Sequence, residues 1–275
     1  MPRETRRIAK KLTALLAALL VMLGVCAGAM GEISLTRKDL CQAEGLDKNV
    51  THIAFILQDG EVTDTLMLAS INSKTGRSVM TQISTAREIA VTMEDGVAQT
   101  MPLAQVYQQG AKKSRGLLVC RELNELLGLD IGTYVAMDMT RLPELVDAIG
   151  FLNLDLTDAE AAAMARPAGR NQLSGGEVLE FMRLRLEGDD PARSRSYEAL
   201  MELLYQGMHS GELMSLISMG TKMLGSMETN MGALMAVPLV TAVQGGEDRR
   251  EVAITADDPA TEDEVRALMH REIYE

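Results

Sequence analysis

Ile53-Ala-Phe-Ile-Leu-Gln-Asp-Gly-Glu-Val-Thr-Asp-Thr-Leu-Met-Leu-Ala-Ser-Ile-Asn72 holds two apolar runs of strand length, Ile53–Leu57 and Leu66–Ile71. Between them lies Asp59-Gly-Glu-Val-Thr-Asp64, whose Asp-Gly step is a hairpin turn signal. Downstream, Asn72-Ser-Lys-Thr-Gly76 makes a further turn before a strand over Ser78–Ile83, and residues 92–102 read as loop and edge structure. Helical periodicity over Leu117–Leu127 ends at Gly128, a C-terminal stop. Tyr134–Met139 reads as a strand, Leu142–Ile149 as a helix stopped by Gly150, and Phe151–Leu156 as a strand.

Ser174-x-x-Glu177 has the form of a capping box, so a helix starts there. It turns Val178, Phe181 and Met182 inward and delivers Arg183 and Arg185 near its end. Amphipathic patterns over Tyr197–Leu204, Leu213–Leu224 and Met231–Val240 follow, and Thr261-x-x-Glu264 caps a last helix to about Ile273. Strands alternate with helices without internal repeats. The expected class is α/β (α+β), a central mixed β-sheet covered by helices.

The 275 residues are 47% hydrophobic, enough for one domain with a sizeable core. Net charge is −12; residues 1–11 hold Arg3, Arg6, Arg7, Lys10 and Lys11 against Glu4, a local +4, which leaves the remainder near −16. That balance argues against nucleic acid as a partner. Leu12–Gly31 is an uncharged stretch long enough to cross a bilayer behind a basic flank. It reads as an uncleaved signal-anchor or, through Ala27-Gly-Ala29, as a cleaved signal. Either way the chain from residue 32 onward works outside the cytoplasm. The expected organisation is a basic tail (1–11), a transmembrane anchor (12–31), a stalk (32–51), the main domain (52–244) and a C-terminal strand and helix extension (245–275).

Cys41 and Cys120 are the one candidate disulfide pair, and the sequence leaves their bridging open. His52, His209 and His270 are scattered without metal-ligand spacing. The 20 methionines, many within Met201–Met235, read first as core filling and second as the wall of a lipid-accommodating cavity.

Two features carry chemistry. Arg183, Arg185, Arg193 and Arg195 stand within thirteen residues of an otherwise acidic ectodomain. Guanidinium groups present forked donors to phosphate and stay charged, so this block suits an anionic ligand. Asp59 and Asp64 flank the hairpin turn, where paired carboxylates suit Mg²⁺ or Mn²⁺. A divalent ion with several arginines is the apparatus for a pyrophosphate.

In order and spacing these segments resemble the LytR-CpsA-Psr family of cell-envelope proteins. The matching pieces are Ile53–Asp59, Thr63–Asn72, Leu126-Leu-Gly-Leu-Asp-Ile-Gly-Thr-Tyr-Val135, Leu145-Val-Asp-Ala-Ile-Gly150, the Ser174–Arg193 block and Thr229-Asn230. The resemblance implies a membrane-anchored phosphotransferase that moves phosphate-linked glycopolymers, such as teichoic acid, from a polyprenyl-pyrophosphate carrier to a peptidoglycan acceptor. It implies metal binding by Asp59 and Asp64 and places Arg183, Arg185 and Arg193 near the pyrophosphate. Arg183 and Arg185 are expected to be catalytic, and Arg193, with Arg195 displaced by one from the family's final arginine, to bind substrate. It also implies an apolar tunnel for the lipid tail. Three segments depart from the family pattern. Val62 stands where the family has an arginine before the second aspartate. Thr85 and Ala86 occupy the Arg-Asp of its Ser-Ile-Pro-Arg-Asp segment, with Arg87-Glu88 two residues on. Ser196-Tyr197 replaces a final Arg-Gln. Arg87 joins the expected catalytic set if a bulge brings it into place. If it does not, the expectation is a catalytically weakened relative that binds lipid-linked envelope polymers as a regulatory module.

Overall fold

The computed structural model describes residues 33–187, 194–209, 227–231, 249–254 and 262–275. Its frame is a six-stranded mixed sheet with the order β10-β3-β2-β1-β6-β9. The strands are β1 (Val50–Asp59), β2 (Val62–Asn72), β3 (Ser78–Ile83), β6 (Thr133–Asp138), β9 (Met227–Thr229) and β10 (Arg249–Ile254). β1, β2 and β3 form an antiparallel meander, while β6 lies parallel to β1 and β10 parallel to β3.

Both faces of the meander are covered, which is why β1 and β2 read as continuous apolar runs rather than alternating ones. Ala54, Ile56, Leu66 and Leu68 pack under α1 (Leu103–Gln109), α2 (Arg115–Leu127) and α7 (Glu262–Tyr274). On the opposite face Met67, Ala69, Ile71 and Met80 meet Met201 of α6 (Arg195–His209). Fully burying a side chain such as Leu68 contributes about 1.5–3 kcal/mol, so the central strands carry much of the stability.

A second apolar cluster sits at the carboxyl end of β1. It joins α3 (Leu142–Ile149), α4 (Asp158–Ala163), α5 (Gly175–Arg183), α6 and the antiparallel pair β7 (Leu152–Leu156) and β8 (Gly169–Leu173). This cluster fixes the arginine-bearing helix against the sheet. The stops at Gly128 and Gly150 fall where expected; Gly128 adopts φ 65°, ψ 41°, and its N–H bonds the Asn124 carbonyl.

The remaining segments take the following places. Residues 92–102, read as loop and edge structure, belong to a small separate hairpin, β4 (Glu88–Thr92) with β5 (Ala98–Pro102). The stretch expected as a stalk packs on the domain from its first described residue. Ile33 pairs with Gly110, Leu40 is buried, and the buried Asn124 Nδ2 donates to the Leu40 carbonyl at 2.8 Å. The C-terminal stretch is integral: β10 completes the sheet edge, and Val265, Met269 and Ile273 enter the main core. Cys41 and Cys120 are both free thiols, one exposed and one buried in α2. The Leu12–Gly31 anchor and the stretches 213–224 and 232–240, where a lipid-accommodating wall is expected, lie outside the described residues. Among the described residues no helix is long and apolar enough to cross a membrane.

Candidate active site

The site forms where β1 ends. Asp59 is the last residue of β1, and Gly60, at φ 66°, supplies the left-handed turn that a side chain would strain. Leu57 pairs with Thr65 but Gln58 pairs with Thr63, so Asp64 is an extra residue on β2, a β-bulge. Bulges re-aim a side chain and increase local twist. Here the bulge frees Asp64 from ladder alternation; its Oδ2 accepts from Thr65 Oγ1 at 2.9 Å. β2 and β3 pair in unbroken register from Ser78 to Ile83, and the irregularity of the meander lies at Asp64.

Helix α5 brings the arginines to this turn. Glu177 accepts from the Ser174 N–H at 2.9 Å and its hydroxyl at 2.7 Å, and it pairs with Arg166. The backbone bond from Ser174, then Arg166, hold the Glu177 carboxyl down at about 2. Asp147, from the Leu-Val-Asp-Ala-Ile-Gly motif, accepts from the Gly175 N–H at 2.9 Å and ties α3 to the start of α5. Gly175 is required sterically, since a Cβ there would lie 2.3 Å from the Pro143 carbonyl oxygen. Val178, Phe181 and Met182 are buried as expected, which leaves Arg183 on the outward face.

Arg183 Nη2 donates to Asp59 Oδ1 at 2.6 Å, and Arg185 Nη2 reaches Asp64 Oδ1 at 3.4 Å. Both arginines stand at the negative end of the α5 dipole, which favours cations. Asp59 holds the Arg183 guanidinium above its ordinary range, with smaller contributions from Asp138 and Asp64. Asp138, which sequence reasoning did not single out, contributes charge nearby while its Oδ1 accepts from the Thr140 N–H and hydroxyl. Its position follows from the parallel pairing of Gln58 with Asp138, which nothing in a linear motif announces. Asp64 is only 15% exposed in its side chain, whereas Arg185 is 70% exposed, with its Nη1 donating to the Met182 and Leu184 carbonyls.

The other expected residues are placed differently. Arg195 engages a carboxylate outside the turn: its Nε donates to Glu160 Oε1 at 2.7 Å in a buried pair. Arg87 is half-buried in the connection from β3 to β4. A cavity of about 150 Å³ beside Asp64 is lined by Gln82, Ser84, Thr85 and Ser194, and Arg87 is not among its walls. Thr85 Oγ1 lies 3.5 Å from the Asp64 carbonyl oxygen. Arg193 lies outside the described residues.

The donor chemistry here is carboxylate oxygen without sulfur or imidazole. Among the described residues no cage of three or more His, Cys, Asp or Glu side chains forms. That set fits a Mg²⁺-like ion, which binds through one or two carboxylates and completes its shell with water and substrate phosphate. The arrangement pairs hard anionic donors with forked cationic donors, the equipment for a phosphate diester or pyrophosphate.

Comparison with known proteins agrees with this architecture. The chain is 26% identical over 239 residues to Biofilm regulatory protein A of Streptococcus mutans, an alignment spanning 72% of this chain. It covers 57% of that relative, so the chain spans little more than half the relative's length. The fold matches TagT bound to LIIa-WTA at TM-score 0.69 and 15% identity, over 88% of this chain and 99% of that one. It matches Bacillus subtilis TagV at TM-score 0.64 and 17% identity, over 83% and 98%. It also matches TagT (YwtF) with bound octaprenyl pyrophosphate lipid at TM-score 0.62 and 16% identity, over 89% and 98%. The model of the LytR_cpsA_psr family matches residues 43–263, and the chain belongs to that family.

Proposed function

We propose that this protein is an extracytoplasmic phosphotransferase that moves a phosphate-linked glycopolymer from a polyprenyl-pyrophosphate carrier to peptidoglycan. The observation that carries the proposal is the pairing of Arg183 with Asp59 and Arg185 with Asp64 across the β1–β2 turn. Family membership supports the reaction class. The bound wall teichoic acid intermediate and octaprenyl pyrophosphate of the TagT structures support the substrate class. The apolar stretch Leu12–Gly31 supports tethering at the membrane, beside the lipid carrier.

In this reading the acceptor hydroxyl attacks the phosphorus that carries the polymer. A new O–P bond forms, the bridging P–O bond of the pyrophosphate breaks, and polyprenyl monophosphate leaves. The hydroxyl proton passes to solvent. Arg183 and Arg185 release their carboxylates and spread the charge that builds on the phosphate oxygens. Asp59 and Asp64, freed of arginine, would hold a divalent ion, which would supply charge neutralisation for the leaving phosphate.

A second reading, a weakened relative acting as a binding module, draws support from Thr85 lining the cleft beside Asp64, where the family has arginine. One experiment tests both: the full chain in detergent, with Mg²⁺ and a short-chain polyprenyl-pyrophosphate glycan, assayed for release of polyprenyl phosphate. The transferase reading expects Mg²⁺-dependent release that Asp64→Ala abolishes. Tight binding of the lipid without turnover would replace it with the binding module.

A further inference from the structure

Glu160 lies outside the site, at the third position of α4, and its side chain is 0% exposed. A buried carboxylate is costly unless every lone pair is used. Its Oε2 accepts from the Thr157 N–H at 2.9 Å and the Thr157 hydroxyl at 2.8 Å, an ordinary capping box. Its Oε1 accepts from Arg195 Nε at 2.7 Å, and Arg195 is itself 9% exposed.

Arg195 reaches further. Its Nη1 lies 3.3 Å from the Leu184 carbonyl, which also accepts from Arg185 Nη1 at 2.9 Å. Leu184 is the residue at which α5 leaves helical geometry, with φ −58° and ψ 138°. Arg185 continues to Asp64 Oδ1. A connected path therefore runs from buried Glu160 through Arg195 and the Leu184 carbonyl to Arg185 and Asp64. Arg195 holds the two ends of the 184–195 segment together, so the placement of Arg185 depends on a carboxylate outside the cleft. A forked guanidinium is suited to gripping a carboxylate and a carbonyl at once.

We propose that Glu160, acting through Arg195, is a positioning residue for Arg185, and that Arg195 is a strut rather than a phosphate ligand. The proposal rests on the phosphate-site reading above for its consequence, but not for its geometry. Stability alone does not call for this pair, because buried ion pairs can be replaced by uncharged side chains at little or no loss.

The test is the double variant Glu160→Gln/Arg195→Met in the full chain. Gln retains the capping box, and both members of the ion pair are neutralised together. The strut predicts a melting temperature near the parent's, with affinity for geranyl pyrophosphate plus Mg²⁺ weakened roughly tenfold, the scale of one misplaced hydrogen bond to a charged group. It also predicts faster hydrogen exchange at the 184–186 amides without ligand. Parental affinity together with parental exchange would make the pair purely structural and overturn the proposal. If the parent itself fails to bind the probe, the phosphate-site reading falls, and the exchange comparison still decides the role of Glu160. Arg195→Lys provides a second variant: it keeps a cation for Glu160 without the fork. It should reproduce the faster exchange, and unchanged exchange would count against the strut.

Discussion

Arg183 Nη2 donates to Asp59 Oδ1 at 2.6 Å although 124 residues separate them along the chain. The contact joins the last residue of β1 to the last residue of α5, so it reports how the sheet and the α3–α5 cluster are assembled. Both side chains are well exposed. An ion pair of that kind contributes at most about 1 kcal/mol to stability, so its main consequence is to hold two reactive groups in register.

Arg183→Ala should therefore separate stability from activity. The melting temperature is expected to stay within a few degrees, while polymer release falls roughly 10²–10³-fold, the scale of losing one preorganised donor. Thermal melts and the release assay on the same preparation check this. A parallel loss in both would point to a structural role for the pair.

Thr85→Arg should strengthen the site. Thr85 lines the cavity beside Asp64, where an added guanidinium has room and a carboxylate to meet. Pyrophosphate affinity is expected to rise several-fold at low salt, with the gain shrinking at high ionic strength as exposed charges are screened. Calorimetric titration at two salt concentrations reads both effects. Unchanged affinity would place the cleft away from the phosphate.

Gly175→Ala should damage both fold and function, because its Cβ would lie 2.3 Å from the Pro143 carbonyl oxygen. Overpacking against rigid backbone costs about 1–3 kcal/mol, and α5 must shift with its arginines. Gly176→Ala is the control, since a Cβ there meets nothing within 4 Å. Urea unfolding of the two variants, with release assays alongside, should separate them clearly.

His52 should confer an acid limit on stability. It is buried between Ser70, Tyr274 and Asp130, with His270 nearby, and desolvation lowers its pKa from 6.5 to about 4. Between those values the unfolded chain takes up a proton that the folded one refuses. Stability from this group is thus complete above pH 6.5 and declines as pH falls toward about 4. In thermal melts across that window, His52→Gln should lose stability less steeply than the parent. Equal slopes would assign the acid limit to other groups.

The local elements were legible because their signals are local. Apolar runs around Asp59-Gly60, the stops at Gly128 and Gly150, and the Ser174–Glu177 box each depend on neighbours within a few residues, and each element forms where expected. The β4–β5 hairpin was less legible, since its strands are short and largely exposed and carry little apolar period. The packing of residues 33–49 was hidden for a related reason. Single apolar side chains such as Ile33 and Leu40 do not signal burial until a partner surface exists.

By itself, then, the sequence determined the mixed α/β order and the family motifs that carry Asp59, Asp64, Arg183 and Arg185. Only tertiary structure decided which side chains share the site. The bulge that turns Asp64, the parallel register that pairs Asp138 with Gln58, and the burial of Arg195 on Glu160 all depend on pairings between distant segments. Strand register and charge burial are set by the packed whole, where one residue's shift changes the face a side chain occupies. No linear spacing encodes that choice.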